Sequence, residues 1–103
     1  MSSYEGWPNW ETWNVNLWLS NDQGLYDECI QIARENETIA RTANVLDDWF
    51  HNMFLEPYEG DAPFQSGPIA DWVNMSYQQV DWKEIAEYWI DRAQEIDEYE
   101  AGK

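Results

Sequence analysis

The chain has 103 residues, of which 21 are Asp or Glu and 5 are Lys or Arg, so its formal net charge is −16. This length fits one domain with a sizeable core, and an aromatic content of 17% argues against disorder. The charge argues against direct nucleic-acid binding, because the Lys and Arg that neutralise phosphates are missing, and favours a basic protein partner instead.

Cysteine usage and hydropathy bear on the cellular setting. Cys29 is the only cysteine, so no intrachain disulfide can form. The sequence opens without the basic and apolar regions of a signal peptide, and no apolar run approaches the roughly 18 residues of a membrane span. These features predict a cytoplasmic protein with no membrane contact.

The segment 7–19 holds four of the eight tryptophans and is predicted to organise the fold. Asn9 is a suitable N-cap for a helix that begins at Trp10 and runs to Leu19. Because this helix is apolar over most of its circumference, it is predicted to be the buried centre of a bundle. The alternative is that its tryptophans form an exposed surface for a partner. The apolar residues at helical spacing are Trp10, Trp13, Leu17 and Trp18.

Two more helices are predicted in the first half of the chain. One spans residues 23–36 and places Cys29 on its apolar side, where a lone cysteine is typical of a core. The other follows a cap at Thr38 and runs to about Phe54. His51 lies on its polar side with no Ser, Cys or second His near it in sequence, which favours a solvated side chain over a general base. The apolar positions of this helix are Ile39, Ala43, Leu46, Phe50 and Met53.

Residues 56–67 are rich in proline, glycine and acids and are predicted to form the one long loop. Glu56, Glu59 and Asp61 cluster around Gly60. The alternate-position acids and the closing glutamate of an EF-hand are absent, so a calcium site is not favoured.

Two helices are predicted after the loop. The first begins at Pro68, with Ile69, Trp72, Val73 and Tyr77 inward. The second begins after Asp81, with Glu84 completing a capping box. Its apolar positions are Ile85, Ala86, Trp89, Ala93 and Ile96. The whole pattern predicts an all-α bundle of about five helices in one domain at residues 1–103, with residues 1–6 and 99–103 frayed.

Catalytic chemistry is not indicated by the sequence. One His and one Cys cannot form a zinc site by spacing, and no Gly-rich phosphate loop or nucleophile elbow is present. Pairs of carboxylates are too numerous to be diagnostic of a hydrolase. The prediction is therefore a protein that is not an enzyme and that carries no metal or cofactor.

The acids of the last helix recur at steps of three and four. On a 1.5 Å rise they would span about 21 Å, with one carboxylate per roughly 5 Å. Duplex DNA carries one charge per about 1.7 Å of axis over both strands, or about 3.4 Å per strand, so these acids have the sign and a comparable linear density to imitate one edge of a duplex. A bundle helix needs a polar face in any case, but the lysines at i+4 that usually balance such a face are nearly absent. The predicted partner-binding residues are Glu84, Glu87, Asp91, Glu95 and Glu98, extended by Asp47, Asp48, Glu56, Glu59 and Asp61.

Two motifs invite comparison with known families. The first is Asn-Trp-Glu-Thr-Trp-Asn-Val-Asn-Leu-Trp-Leu at residues 9–19, running into Asn-Asp-Gln-Gly-Leu-Tyr at residues 21–26. The second is Val-Asp-Trp-Lys-Glu-Ile-Ala at residues 80–86. Together they resemble a family of small acidic proteins found on bacteriophages, plasmids and bacterial chromosomes, over about half the chain. That family has no settled activity and no catalytic residues to carry over. The resemblance implies a mobile-element setting in a bacterial cytoplasm, where short acidic proteins often disarm host defence enzymes.

The predicted function is a non-enzymatic inhibitor of the anti-restriction or anti-CRISPR type. As a DNA mimic it would block the nucleic-acid site of a basic host or defence protein. The alternative is an adaptor or structural module that binds a protein partner through an exposed tryptophan surface, with acidity serving solubility. Adaptation to high salt is a third hypothesis, and an enzyme is the fourth.

Overall fold

The computed structural model describes residues 5–55, 73 and 75–102, and helices are the regular elements of this part of the chain. They are α1 (Trp10–Asn21), α2 (Gln23–Asn36), α3 (Ile39–Phe50), a π-helical turn that continues α3 (His51–Leu55), and α4 (Trp82–Ala101). Residues 73 and 75–78 are helical as well. The predicted all-α fold is confirmed. The predicted loop at residues 56–67 and the start of the helix predicted from Pro68 lie outside the described residues.

Four helices begin at side chains that the sequence marks as caps. In each case a side-chain oxygen accepts a hydrogen bond from the backbone N–H three residues later, at 2.9 to 3.2 Å. These bonds satisfy N–H groups that a helix start otherwise leaves without a partner. The caps predicted at Asn9, Thr38 and Asp81 are confirmed, and α2 has the predicted bounds, with Asp22 as its cap. The capping residues are Asn9, Asp22, Thr38 and Asp81.

The helix at the centre of the described structure is α4, which packs against α1, α2 and α3. Trp89 on α4 is the largest of the fully buried side chains in the described residues. Its ring meets those of Tyr26 and Tyr88 edge-on, each with centroids 5.0 Å apart. The predicted inward face of this helix is confirmed, with Ile96 half-buried at its end. α4 is regular through Ala101, within the segment predicted to fray.

The prediction that α1 is the buried centre of the bundle is wrong. Trp10 is 49% exposed and Trp18 is 66% exposed, whereas the polar residues Thr12 and Asn16 are buried together with Leu19. The helix is therefore turned with two of its tryptophans toward solvent. The physical reason lies in α4 and its N-cap, because Asp81 supplies a hydrogen-bond partner for Thr12 and Trp89 supplies one for Asn16.

Apolar residues at the ends of α3 are also more exposed than predicted. Ala43 and Leu46 in the middle of α3 are buried, but Ile39 is 43% exposed and Met53, in the π-helical turn, is 46% exposed. Fewer neighbouring side chains cover a helix at its ends, so the apolar pattern extends beyond the core. Val73, predicted inward, is likewise 40% exposed.

None of the helices in residues 5–55 and 75–102 is long and apolar enough to cross a membrane.

Candidate interaction site

The five acids predicted on the last helix lie together on the solvent side of α4, and we call them the acidic stripe. All five side chains are exposed. At 3.6 residues per turn they fall within an arc of about 80° and extend over about 21 Å. The buried side of α4, which contains Ile85 and Trp89, lies opposite this arc. The members of the acidic stripe are Glu84, Glu87, Asp91, Glu95 and Glu98.

The arginines near the acidic stripe neutralise little of it. Arg92 Nη1 lies 3.2 Å from Glu95 Oε2, and its Nε donates to the Tyr26 hydroxyl at 2.6 Å. Arg34 Nη2 pairs at 2.6 Å with Asp97 Oδ1, which lies beside the stripe. Among the described residues, the other four carboxylates of the stripe have no ion pair. The stripe therefore presents a nearly uncompensated row of negative charge.

Asp47 belongs to a separate cluster at the end of α3. Its carboxylate accepts a hydrogen bond from the Tyr77 hydroxyl, and the Tyr77 ring lies 5.8 Å from the ring of His51. Burial and the negative charge of Asp48 raise the pKa of Asp47, while His51 acts in the opposite direction. Of the two acids predicted here, Asp48 is exposed and Asp47 is half-buried. Three further predicted acids lie outside the described residues, namely Glu56, Glu59 and Asp61.

A buried polar network joins the two sequence motifs. Thr12 Oγ1 donates to Asn9 Oδ1 at 2.6 Å and accepts from the Asp81 backbone N–H at 2.9 Å. Asn16 Oδ1 accepts from Trp89 Nε1 at 2.8 Å in the interior. Buried polar groups require such partners, so these bonds fix which side of α1 faces α4. The motif residues that the network uses therefore have a structural role.

The predicted capping box at the start of α4 is only half formed. Asp81 Oδ1 accepts from the Glu84 backbone N–H at 3.2 Å, as expected. The Asp81 N–H bonds to Thr12, although in a capping box it would bond to the Glu84 side chain. The Glu84 side chain consequently lies exposed in the first turn of α4, where it is the first member of the acidic stripe.

The side of α1 that faces away from α4 is a second surface, which the sequence analysis predicted to be buried. We call Trp10, Leu17 and Trp18 the outward face of α1, with exposures of 49%, 37% and 66%. A pattern in the sequence could have revealed it. Asn9, Thr12 and Asn16 recur at steps of three and four, so a polar stripe was available to face a partner helix.

Cys29 has the position predicted for it, in the core. Burial, with a smaller contribution from the charge of Glu28, raises the pKa of the Cys29 thiol to about 12. A thiol with such a pKa holds almost no thiolate at neutral pH and is a poor nucleophile. In the described part of the chain, no group of His, Cys, Asp and Glu side chains is arranged to hold a metal ion.

Comparison with known proteins identifies a family. The model of DUF7249, a family of unknown function, matches residues 1–101, a range that includes both motifs. No curated protein and no solved structure matches the chain.

Proposed function

We propose that this chain, which belongs to DUF7249, is a non-enzymatic acidic inhibitor that occupies the nucleic-acid site of a basic host or defence protein. It would act as a DNA mimic of the kind that mobile elements use. The observation that carries the proposal is the acidic stripe. Five carboxylates line one side of a single helix over about 21 Å, and among the described residues only Glu95 is paired.

The stripe is held ready for a partner by the core beneath it. Ile85, Ala86 and Trp89 are fully buried on the other side of α4, so the helix cannot rotate its acids away without unpacking the bundle. A preformed array needs little ordering on binding, which lowers the entropic cost of association. The excess negative charge would also steer the protein toward a basic groove and pair there with Lys and Arg.

The acidic stripe also lowers the stability of its own helix, and the needs of folding alone do not explain it. Glu87, Asp91 and Glu95 follow one another at i+4, and like charges at that spacing destabilise a helix by a few tenths of a kcal/mol per pair. A solvent-facing helix side would be more stable with lysines interspersed. The presence of a nearly uncompensated row of carboxylates supports a role in binding.

The test removes charge from the stripe while keeping side-chain size, with the changes Glu87→Gln, Asp91→Asn and Glu95→Gln made together. The immobilised parent is used to capture proteins from a bacterial lysate at low salt. We expect it to retain a nucleic-acid-binding protein that is released by added duplex DNA and, steeply, by salt. The triple variant should fail to retain that protein while melting at the same temperature as the parent or slightly above it.

A matched variant separates the stripe from overall charge. The changes Asp27→Asn, Glu28→Gln and Glu35→Gln remove an equal number of negative charges from exposed positions on α2. This variant should capture the target as the parent does. Equal loss in both variants would show that net charge alone drives binding. Equal retention in both would remove the stripe from the site and favour acidity as a solubility or salt adaptation.

A further inference from the structure

A groove lies beside the outward face of α1. It has a volume of about 290 Å³ and is walled mainly by apolar side chains of α1, α3 and the segment before α4. Trp10 belongs both to the outward face and to the wall of the groove. Glu11 is the one charged residue among the described residues that line it. The principal apolar wall residues are Trp10, Val15, Phe50, Tyr77 and Val80.

The exposed tryptophans are not explained by the packing of the bundle. The buried side of α1 is occupied by Thr12, Asn16 and Leu19, so the outward face contributes little to the core. Its three side chains together expose on the order of 300 Å². Exposed apolar surface of that size is comparable to the largest patch on a typical monomeric protein, which is often functional.

We propose that the outward face of α1 and the adjoining groove bind a short basic amphipathic helix of another protein, with one large apolar side chain inserted in the groove. Charge complementarity selects this occupant. The chain has a net charge of −16, and Glu11 lies at the groove, so an apolar anchor flanked by Arg or Lys is favoured. Exposed indole rings also attract arginine through cation–π contact. This surface lies on α1, and its binding does not depend on the acidic stripe.

A second copy of the chain fits the surface less well. Two molecules would each bring a charge of −16 to the contact. The patch is also smaller than the roughly 800 Å² per partner that a stable interface buries. A short helix needs less area and supplies the opposite charge, so the expected complex is a transient one.

The experiment uses a fluorescein-labelled helical peptide of about 14 residues, four helical turns, with leucine on one face and arginine on the other. Two further peptides serve as controls, one with glutamate in place of arginine and one with serine in place of leucine. Fluorescence anisotropy should show binding of the leucine–arginine peptide to the parent protein. The glutamate peptide should not bind, and the serine peptide should bind at least about tenfold more weakly.

Variants of the protein then locate the site. The double change Trp10→Ser and Trp18→Ser should weaken peptide binding at least about tenfold, as removal of aromatic anchors does. Glu11→Gln should weaken it a few fold and flatten its salt dependence. Tyr99→Ser changes an aromatic side chain that is 70% exposed near the far end of α4 and should leave binding unchanged. The triple variant of the acidic stripe should bind within about twofold of the parent, which separates this proposal from the proposed function.

Several results would overturn the proposal. One is equal binding of the serine and leucine peptides, which would mean that charge alone attracts them. Another is peptide binding by the double tryptophan variant that equals that of the parent. Absence of parent binding at about 1 mM peptide would also refute it. A further such result is a parent that sediments as a dimer while the Trp18→Ser variant sediments as a monomer, which would assign the outward face of α1 to a second copy of the chain.

Discussion

The hydrogen bond between Asn16 and Trp89 provides a quantitative test of how α1 packs. Asn16 is 4% exposed, Trp89 is fully buried, and Oδ1 and Nε1 are 2.8 Å apart. Asn16→Leu keeps the approximate size but leaves the indole N–H without an acceptor, which should cost about 1–3 kcal/mol. Trp89→Phe leaves the amide oxygen without a donor and removes a ring, at a cost of about 2 kcal/mol or more. In the double variant neither polar group remains, so its cost should fall short of the sum by about 1–3 kcal/mol.

Urea unfolding followed by circular dichroism measures the three free energies of unfolding. In a domain of this length each kcal/mol corresponds to a shift of about 4 °C or more in Tm. Asn14→Leu is the control, because it makes the same substitution at a half-buried position on α1 and should change stability by no more than about 0.5 kcal/mol. A coupling energy below about 0.5 kcal/mol, or an Asn16→Leu variant as stable as the parent, would refute the packing argument.

Four further predictions concern single residues. Thr12→Val should lower the free energy of unfolding by about 1–3 kcal/mol, because the Asp81 N–H loses its acceptor, whereas Thr12→Ser should lose less. The Cys29 thiol, with its pKa raised to about 12, should react with thiol reagents far more slowly in the folded protein than in urea. Asp47→Asn should raise stability at neutral pH. The folded state raises the pKa of that carboxyl above its ordinary value of 3.8, so the stability that the carboxyl contributes is complete below that value and is lost as pH rises. The stability advantage of the amide should therefore vanish below the ordinary pKa. Glu37, which ends α2 at φ 64, is strained as a non-glycine residue, and Glu37→Gly should raise Tm by a few degrees, corresponding to about 1 kcal/mol.

Each of these has a result that would contradict it. Equal stability of Thr12→Val and Thr12→Ser would show that the hydroxyl bond contributes nothing. Fast labelling of Cys29 in the folded protein would mean that the core opens easily. A constant stability difference between Asp47→Asn and the parent across the pH range would remove titration as its cause. A lower Tm for Glu37→Gly would show that unfolded-state entropy outweighs the strain.

Features set by neighbouring residues could be predicted from the sequence. The caps at Asn9, Thr38 and Asp81 depend on a side chain and an N–H three residues apart, so they follow from local spacing. The inward face of α4 and the acidic stripe follow from helical periodicity in the same way. These parts of the fold are confirmed, and so is the exposure of the five acids on one side of α4, while their role in binding stays a prediction.

Features set by distant residues could not be predicted in this way. Hydrophobicity assigns Trp10 and Trp18 to the interior and Asn16 to the surface, yet the structure reverses this. The partner of Asn16 is 73 residues away, and a pattern within one helix contains no record of it. Asp47 is similar, because its half-buried position depends on Tyr77, which lies 30 residues further along the chain.

The link between α1 and α4 also bears on how the protein emerges from the ribosome. Asn16 and Thr12 acquire their interior partners only when residues 81–89 have been made. At about 5–20 residues per second, the 73 residues that separate Asn16 from Trp89 take roughly 4–15 s to synthesise. During that interval α1 has two polar side chains on its inner side that lack their partners from residues 81–89, and tryptophans on its outer side. The first three helices therefore wait in an incomplete state, exposed to proteases and chaperones, until the last helix closes the fold.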